Sequence, residues 1–474
     1  MKDPLLESIN NHLKPKINKM TTIQELYTYL QQHRRIDFTG GTRTPDTAID
    51  KCVAFSNLIG NPENNINLIH IAGTSGKGST AWILSNILKS QGFSVGLATS
   101  PHLVTINERF ILNNKPISDA KLVYYFNQIE ERLHQFQTNS KFGPLSFFEI
   151  VTALQFYIFD RENIAYAIME TGMGGRLDAT NLPVNFKLCI LNQIGLDHTI
   201  WLGETVELIA AEKAAIMQKN SIAIAIGQQQ SVNQVFVDYA DKIGANLDFV
   251  VPEFDFGNVE LRQIERNDQQ ETYTGFGYID QDIGEKQIKL GIMGKYQASN
   301  CSLALRAVEE LAEINDWEID WETITQCLSQ LQLQGRFEKA IINKQNVILD
   351  GAHNQQKMEA FLGSLFELYS TDEEQFDLVI AFKKGKDVPT MLELIAKYQH
   401  KWKQITVTSF DISQDTKIRS ADSQEITTEL QRLGLNCQIE INLQTVLNNL
   451  SQPTIITGSL YLIGAVKSIV DTNL

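Results

Sequence analysis

The chain has 474 residues, too many for one ordinary core, so two domains are the natural expectation. Hydrophobic residues make up 43 % and charged residues 20 %, the usual globular mix, which excludes a disordered or fibrous chain. A formal net charge of −15 argues against general binding along a nucleic-acid backbone, although local basic pockets stay open.

Residues 1–60 read mainly as helix and loop, with a turn at Arg34 to Gly41. Ile66 to Ile71 reads as a buried strand that runs into a glycine-rich loop and then a helix through about Ser90. Phe93 to Ala98 is the next strand, followed by helices near 119–136 and 147–160. Ile164 to Met169 and Leu188 to Leu191 are further strands, and a helix at about 204–217 precedes a strand at Ile222 to Ile226. This alternation predicts a mainly parallel sheet with helices on both faces. Residues 247–292 read instead as short alternating strands punctuated by Gly275, Gly277, Gly284 and Gly291, an antiparallel patch. Helices near 297–315 and 320–332 follow, and a polar run ends at Gly335-Arg336. The βα rhythm then restarts with Val347 to Leu349, a helix at 354–368, Leu378 to Ala381 and a helix at 387–398. The expected fold is α/β: a P-loop ATPase domain with a mostly parallel sheet over residues 1–334, and a smaller Rossmann-like α/β domain over 335–474.

The five cysteines, Cys52, Cys189, Cys301, Cys327 and Cys437, are scattered and form no CxxC or Cys/His cluster, so neither a disulfide framework nor a zinc site is expected. The N-terminus carries no apolar run with a small-residue cleavage site. No stretch approaches the roughly 18 uncharged apolar residues of a membrane helix. A reduced, cytoplasmic setting with no membrane partner is the default.

The loop is Gly73-Thr74-Ser75-Gly76-Lys77-Gly78-Ser79. Its position between a strand and a helix is the context in which such a loop binds phosphate. Glycines let its N–H groups turn toward phosphate oxygens, and the helix N-terminus adds a favourable dipole. Lys77 can reach the β- and γ-phosphates of ATP, and Ser79 offers a hydroxyl to Mg²⁺. Gly78, between lysine and hydroxyl, departs from the GxxxxGK[ST] form.

Further segments stand in a fixed order with this loop: Ser100-Pro101-His102, Asn107-Glu108-Arg109, Glu170-Thr171-Gly172-Met173-Gly174-Gly175-Arg176-Leu177-Asp178, Gly195-Leu196-Asp197-His198, Glu212-Lys213-Ala214-Ala215, Gly335-Arg336-Phe337-Glu338, Asp350-Gly351-Ala352-His353-Asn354 and Thr457-Gly458-Ser459-Leu460-Tyr461. Over about residues 30 to 470, this series resembles folylpolyglutamate synthase and dihydrofolate synthase, within the Mur ligase superfamily. The resemblance implies a ligase that joins L-glutamate to a pterin-type carboxylate, with ATP cleaved to ADP and phosphate through an acyl phosphate. It also implies that relatives are commonly monomers.

By that resemblance Ser79 and Glu170 hold one magnesium ion and His198 a second. A lone histidine is more often structural; His198 rises above that only because Asp197 and the preceding strand fit the pattern. Lys213 matches a carbamylated lysine facing the metals, and burial that lowers its pKa would favour the neutral amine that CO₂ needs. The bland alternative is a surface lysine pairing along its helix. The glycine usual after Lys-Ala is Ala215 here, and its methyl could crowd the site. Asn300 falls in the pattern for the adenine side, Arg336 for an arginine reaching the phosphates, Asp350 for a ribose-side acid, and His353 for the same nucleotide-facing turn. An Asp-Gly-Ala-His-Asn run also suits a simple helix cap.

The acceptor would sit at the carboxyl edge of the sheet. Ser100, His102, Arg109, Phe147 and Phe148 are its candidate contacts, although tandem aromatics at a helix start are more often core. Arg176 and Asp178 fit an ordering role in the metal loop. The turn Phe38-Thr39-Gly40-Gly41-Thr42-Arg43 departs from the family form and could change the acceptor that fits. A Mur-type ligase acting on another carboxylate is the alternative, disfavoured because only 72 residues precede Gly73. A non-catalytic nucleotide-binding protein is a second, disfavoured by the presence of Glu170, His198 and Lys213.

Overall fold

The computed structural model describes residues 19–33, 48–184, 186–266, 269–280, 284–371, 373–414 and 417–472. The turn at 34–41 and the divergent segment 38–43 lie outside them.

The larger sheet holds β1 (Asn67–Ala72), β2 (Val95–Ala98), β3 (Phe110–Leu112), β4 (Lys115–Pro116), β5 (Tyr166–Glu170), β6 (Leu188–Leu191), β7 (Ile222–Ile226) and β8 (Asn246–Val250), in the order β4-β3-β2-β5-β1-β6-β7-β8. The six strands from β2 to β8 pair in parallel, and β3 and β4 add an antiparallel edge. β1 shows why its sequence is almost wholly apolar. Leu68 and Ala72 enter the core on one face, and Ile69 and Ile71 enter the core on the other. A strand covered on both sides has no polar face to alternate. Helices Lys77–Ser90 and Tyr296–Asn315 cover the Ile69 face; Ile23–Gln32, Ala48–Ile59, Asp119–Asn139 and Phe147–Arg161 cover the other.

Three expectations are corrected. The helix Gln230–Ile243 links β7 to β8 and was not expected; its buried Val232, Phe236 and Ala240 recur at helical spacing. β8 belongs to the parallel sheet, so the antiparallel patch starts later. It is a meander of β9 (Phe256–Arg266), β10 (Gln269–Asp280) and β11 (Gly284–Leu290), whose strands are long rather than short. Phe256, Phe276, Tyr278 and Ile288 of this meander enter the core beside the helix Tyr296–Asn315, while Leu261 packs against the core of the second sheet.

The second sheet holds β12 (Glu338–Ile342), β13 (Gln345–Leu349), β14 (Phe376–Ile380), β15 (Trp402–Val407), β18 (Cys437–Ile439) and β19 (Thr454–Thr457), in the order β12-β13-β19-β14-β15-β18. All are parallel except the edge strand β12, which was also not expected. A hairpin of β16 (Asp411–Ser413) and β17 (Lys417–Arg419) projects from this sheet. The mixed α/β architecture with a large, mostly parallel sheet and a second, smaller sheet agrees with the sequence reading. No helix among the described residues is long and apolar enough to cross a membrane.

Candidate active site

The carboxyl ends of both sheets meet at one cavity of about 520 Å³. The first sheet supplies the loop after β1, Glu170 at the end of β5, Asn192 after β6 and the Ser100 turn after β2; the second supplies Asp350 after β13, Lys383 and Lys386 after β14, and Ser459 after β19. Ligands of open α/β sheets bind at such strand ends.

Backbone need explains the glycine loop. Gly76 has φ 90°, and a Cβ there would lie 2.2 Å from Asn300 Oδ1. Gly78 faces Glu170: a Cβ would stand 3.5 Å from each carboxylate oxygen, in the space where loop and acid oppose each other. Lys77 Nζ donates to Gly73 O at 3.1 Å, folded back over the loop. Thr74 Oγ1 donates to Gly195 O at 3.0 Å, and Ser75 Oγ reaches Gln356 Oε1 of the second body at 2.6 Å. Ser79 is buried among the cavity walls. Asn300 also lies against this loop, within 3.3 Å of Asn192 Nδ2 and 3.5 Å of Thr80 Oγ1, so the structure places it beneath the phosphate loop.

Glu170 accepts from Thr99 Oγ1 at 2.6 Å and from the Ser100 amide at 3.2 Å. Lys213 is only 4 % exposed, against the surface lysine of the bland reading. Burial and then Lys77 push its pKa down to about 7, so a large share of the amine is neutral near pH 7. The double glycine lets the loop after β5 come close to it. A Cβ on Gly175 would strike Glu212 O at 2.5 Å, and Arg176 is fixed by its amide on Glu212 O and its side chain on Glu212 Oε1. Asp178 accepts from the Met173 and Thr180 amides and from Thr180 Oγ1, an ordering role. Ala215 has φ −68°, which any residue adopts, so its backbone requires no glycine.

His198 has φ 52°, a costly backbone state for a residue that is not glycine, at the rim of the cavity. Surrounding protein, with Lys386, Lys77 and Lys383, lowers its pKa to about 4 against the pull of Asp197, leaving the ring neutral with a lone pair to offer. Among the described residues no three His, Cys, Asp or Glu side chains gather closely enough to hold a metal ion by themselves. Ser79, Glu170 and His198 are nonetheless hard or borderline donors around one cavity, which suits an ion that completes its shell with phosphate oxygens and water.

The second sheet brings side chains that sequence reasoning did not single out: the cations Lys383 and Lys386 join Arg336 and Lys77 at the cavity, beside Lys357, whose pKa burial lowers to about 7 as it does for Lys213. Lys386 Nζ meets Asp197 Oδ1 at 2.5 Å, and Asn354 Nδ2 reaches Asp197 Oδ2 at 3.3 Å, both across the seam between the sheets. Burial alone would raise the Asp197 carboxyl, but Lys386, His198 and Lys357 outweigh it and hold it well below the usual range. The signal available for Lys383 and Lys386 was a Lys-Lys-Gly-Lys run directly after a strand. His353 donates from Nδ1 to Gly351 O at 2.7 Å, so its Nε2 accepts from Lys357 Nζ at 3.0 Å. Asp350 is buried, accepts from the Phe337 and Ala352 amides, and bonds the buried Tyr296 hydroxyl; burial raises its pKa to about 6. Its oxygens are therefore already engaged by the chain. Asn354 caps the helix Gln355–Leu368, so capping and cavity lining coexist in this segment.

The acceptor candidates divide. Ser100, Arg109 and Phe148 border the cavity, and the Phe148 ring lies where a Cβ on Gly172 would fall. His102 does not line the cavity; it is 3 % exposed and bonded to Arg109 and Tyr27. Phe147 also lines the cavity, although it is only 1 % exposed and the Arg109 guanidinium stands 5.4 Å from its ring centroid.

The Mur ligase middle domain model matches residues 71–308, half of the chain. The chain belongs to the Mur ligase family. The dihydrofolate synthetase C-terminal domain model matches residues 333–469. The chain is 28 % identical to the folylpolyglutamate synthase of Lacticaseibacillus casei over 94 % of this chain and 97 % of that one. It is 29 % identical to the dihydrofolate synthase/folylpolyglutamate synthase of Bacillus subtilis over 86 % and 91 %. The folylpolyglutamate synthase of Mycobacterium tuberculosis complexed with ADP superposes with a TM-score of 0.78 at 26 % identity, covering 94 % of this chain and 98 % of that one. This Mur ligase is an ATP-dependent acid–amino-acid ligase.

Proposed function

We propose that the chain joins L-glutamate to the carboxylate of a pterin or folate, as a dihydrofolate synthase, a folylpolyglutamate synthase or both. The observation that carries this reading is the single cavity in which the phosphate loop, the buried Lys213 and the cations of the second sheet converge. A carboxylate is a poor electrophile, and bringing it to ATP gathers several negative charges in one place. Lys77, Arg336, Lys383 and Lys386 line that place, where fixed positive charges can meet the charge of the phosphates.

In this reading a carboxylate oxygen of the acceptor attacks the γ-phosphorus and the bond to ADP breaks. The glutamate amine then attacks the acyl carbon, the C–N bond forms, phosphate leaves and the amine gives up a proton. One magnesium ion held by Ser79 and Glu170, and a second held by His198, would neutralise phosphate charge. The neutral amine of Lys213 would take up CO₂ and lose a proton, becoming a carbamate anion beside those ligands. Asn300, Asp350 and His353 remain the proposed nucleotide contacts, and residues 1–334 and 335–474 the two working domains. The enzyme is proposed to act as a cytoplasmic monomer.

Incubation with ATP, Mg²⁺ and radiolabelled glutamate, first with dihydropteroate and then with tetrahydrofolate, is expected to give glutamylated product. No product with either pterin would overturn the acceptor assignment.

A further inference from the structure

Arg109 and Arg306 are the two largest fully buried side chains among the described residues. The position of Arg109 has three distinct parts. Nε donates to His102 Nδ1 at 2.8 Å. The guanidinium faces the Phe147 ring. Nη2, also buried, has no hydrogen-bond partner within the chain, although Arg109 borders the cavity. A buried guanidinium N–H left unpaired is costly, and an oxygen entering from the cavity that Arg109 borders would supply the missing acceptor.

The bond to His102 fixes the direction of everything behind it. An arginine Nε can only donate, so Nδ1 of His102 accepts and the ring proton sits on Nε2. Nε2 lies 3.3 Å from the Tyr27 hydroxyl, which in turn donates to Ser413 O at 2.9 Å. Gln31, one turn on from Tyr27, donates to the same carbonyl at 2.9 Å. The neighbouring Gln414 donates to His102 O at 2.9 Å. Donors thus run in one sense from Arg109 through His102 and Tyr27 to the hairpin β16–β17, which belongs to the second sheet. His102 is held neutral by burial and by Arg109, its pKa lowered to about 2, so the direction does not reverse within the working pH range.

We propose that His102 and Tyr27 are positioning residues that aim Arg109 Nη2 at an oxygen of the acceptor, and that the seating of the β16–β17 hairpin sets that aim. This rests on the ligase reading above and adds to it a link between the second sheet and the acceptor side, separate from the phosphate seam.

Steady-state kinetics with the full chain test it. His102→Ala leaves Arg109 without its anchor and is expected to raise the KM for the pterin about tenfold, the loss of one hydrogen bond to a charged group. His102→Asn, whose amide oxygen can still accept from Nε, is expected to stay within about twofold of the parent protein. Tyr27→Phe and Gln414→Leu are expected to fall between, with the KM for ATP unchanged in all four. Equal pterin KM in His102→Ala and the parent, or equal effects of Ala and Asn, would overturn the proposal. A parent protein that forms no product with either pterin would instead overturn the ligase reading. Amide exchange in the ligand-free protein then decides between seating and no seating: His102→Ala should speed exchange across residues 411–419, and unchanged exchange there would sink the proposed chain.

Discussion

Lys213 shows how a site residue acquires its chemistry from its surroundings. On sequence alone it was a lysine in a helix, and only resemblance pointed to a carbamate. Its near-complete burial and the neighbouring Lys77 give the physical basis, because both disfavour the ammonium form and leave amine for CO₂. Lys213→Ala is expected to lower turnover by at least about a thousandfold, the scale of losing a preorganised charge in a dry site. Added bicarbonate should not restore it, since no amine remains to react. Near-parental activity in the variant would remove Lys213 from the mechanism. The same environment was invisible in the sequence for His102, whose Ser-Pro-His setting marked it as an acceptor contact. The structure buries it behind Arg109, the arrangement on which its proposed positioning role rests, and no spacing rule reveals which side of an arginine a histidine will occupy.

At the scale of elements, the strands with the strongest apolar runs were legible within a residue or two, because a strand buried on both faces leaves an unbroken signature. β1, β6 and β7 are of this kind. The helix Gln230–Ile243 was missed because its polar positions dominate the local composition, although Val232, Phe236 and Ala240 carry the period. Edge strand β12 was missed because only Ile342 of its five residues is buried, so it lacks the unbroken apolar run of the central strands. What sequence could not give is which loops meet across the seam. Asp197, after β6, and Lys386, after β14, are 189 residues apart and form the closest charge contact between the two sheets' loops. Both are largely buried, so each removal strands the other. A double-mutant cycle of Asp197→Asn and Lys386→Met, followed by urea unfolding, is expected to give a coupling of about 1–3 kcal/mol. A coupling below about 0.3 kcal/mol would mean that the two side chains do not pair in solution.

The molecule as a whole keeps several ionisable groups in unusual states, and these set its response to acid. Burial lowers the pKa of His70, at the centre of β1, to about 3. His102 and His353 are shifted in the same direction. A histidine depressed in the folded state contributes stability that is fully present above its unfolded pKa of about 6.5 and is lost as pH falls toward the folded value, because only the unfolded chain takes the proton. Each such group contributes a slope of up to about 1.4 kcal/mol per pH unit in that window. Two acids oppose this. Burial raises Glu309 to about 8 and Asp350 to about 6, so the folded state holds their protons where the unfolded chain does not, and stability rises as pH falls. The histidines, His198 among them, outnumber these acids, so the folded state loses stability on balance between pH 6.5 and 5, and one histidine is read by difference. His70 Nε2 lies 2.8 Å from Thr180 Oγ1, whose own proton goes to Asp178, so the ring donates there. The His70→Gln amide can make the same donation without a titrating group. Urea unfolding of the two proteins at pH 6.5 and 5.0 should show the parent losing more stability than the variant, by about 1.7 kcal/mol across the window. Parallel losses in the two proteins would mean that the His70 imidazole titrates in the folded state much as it does in the unfolded chain.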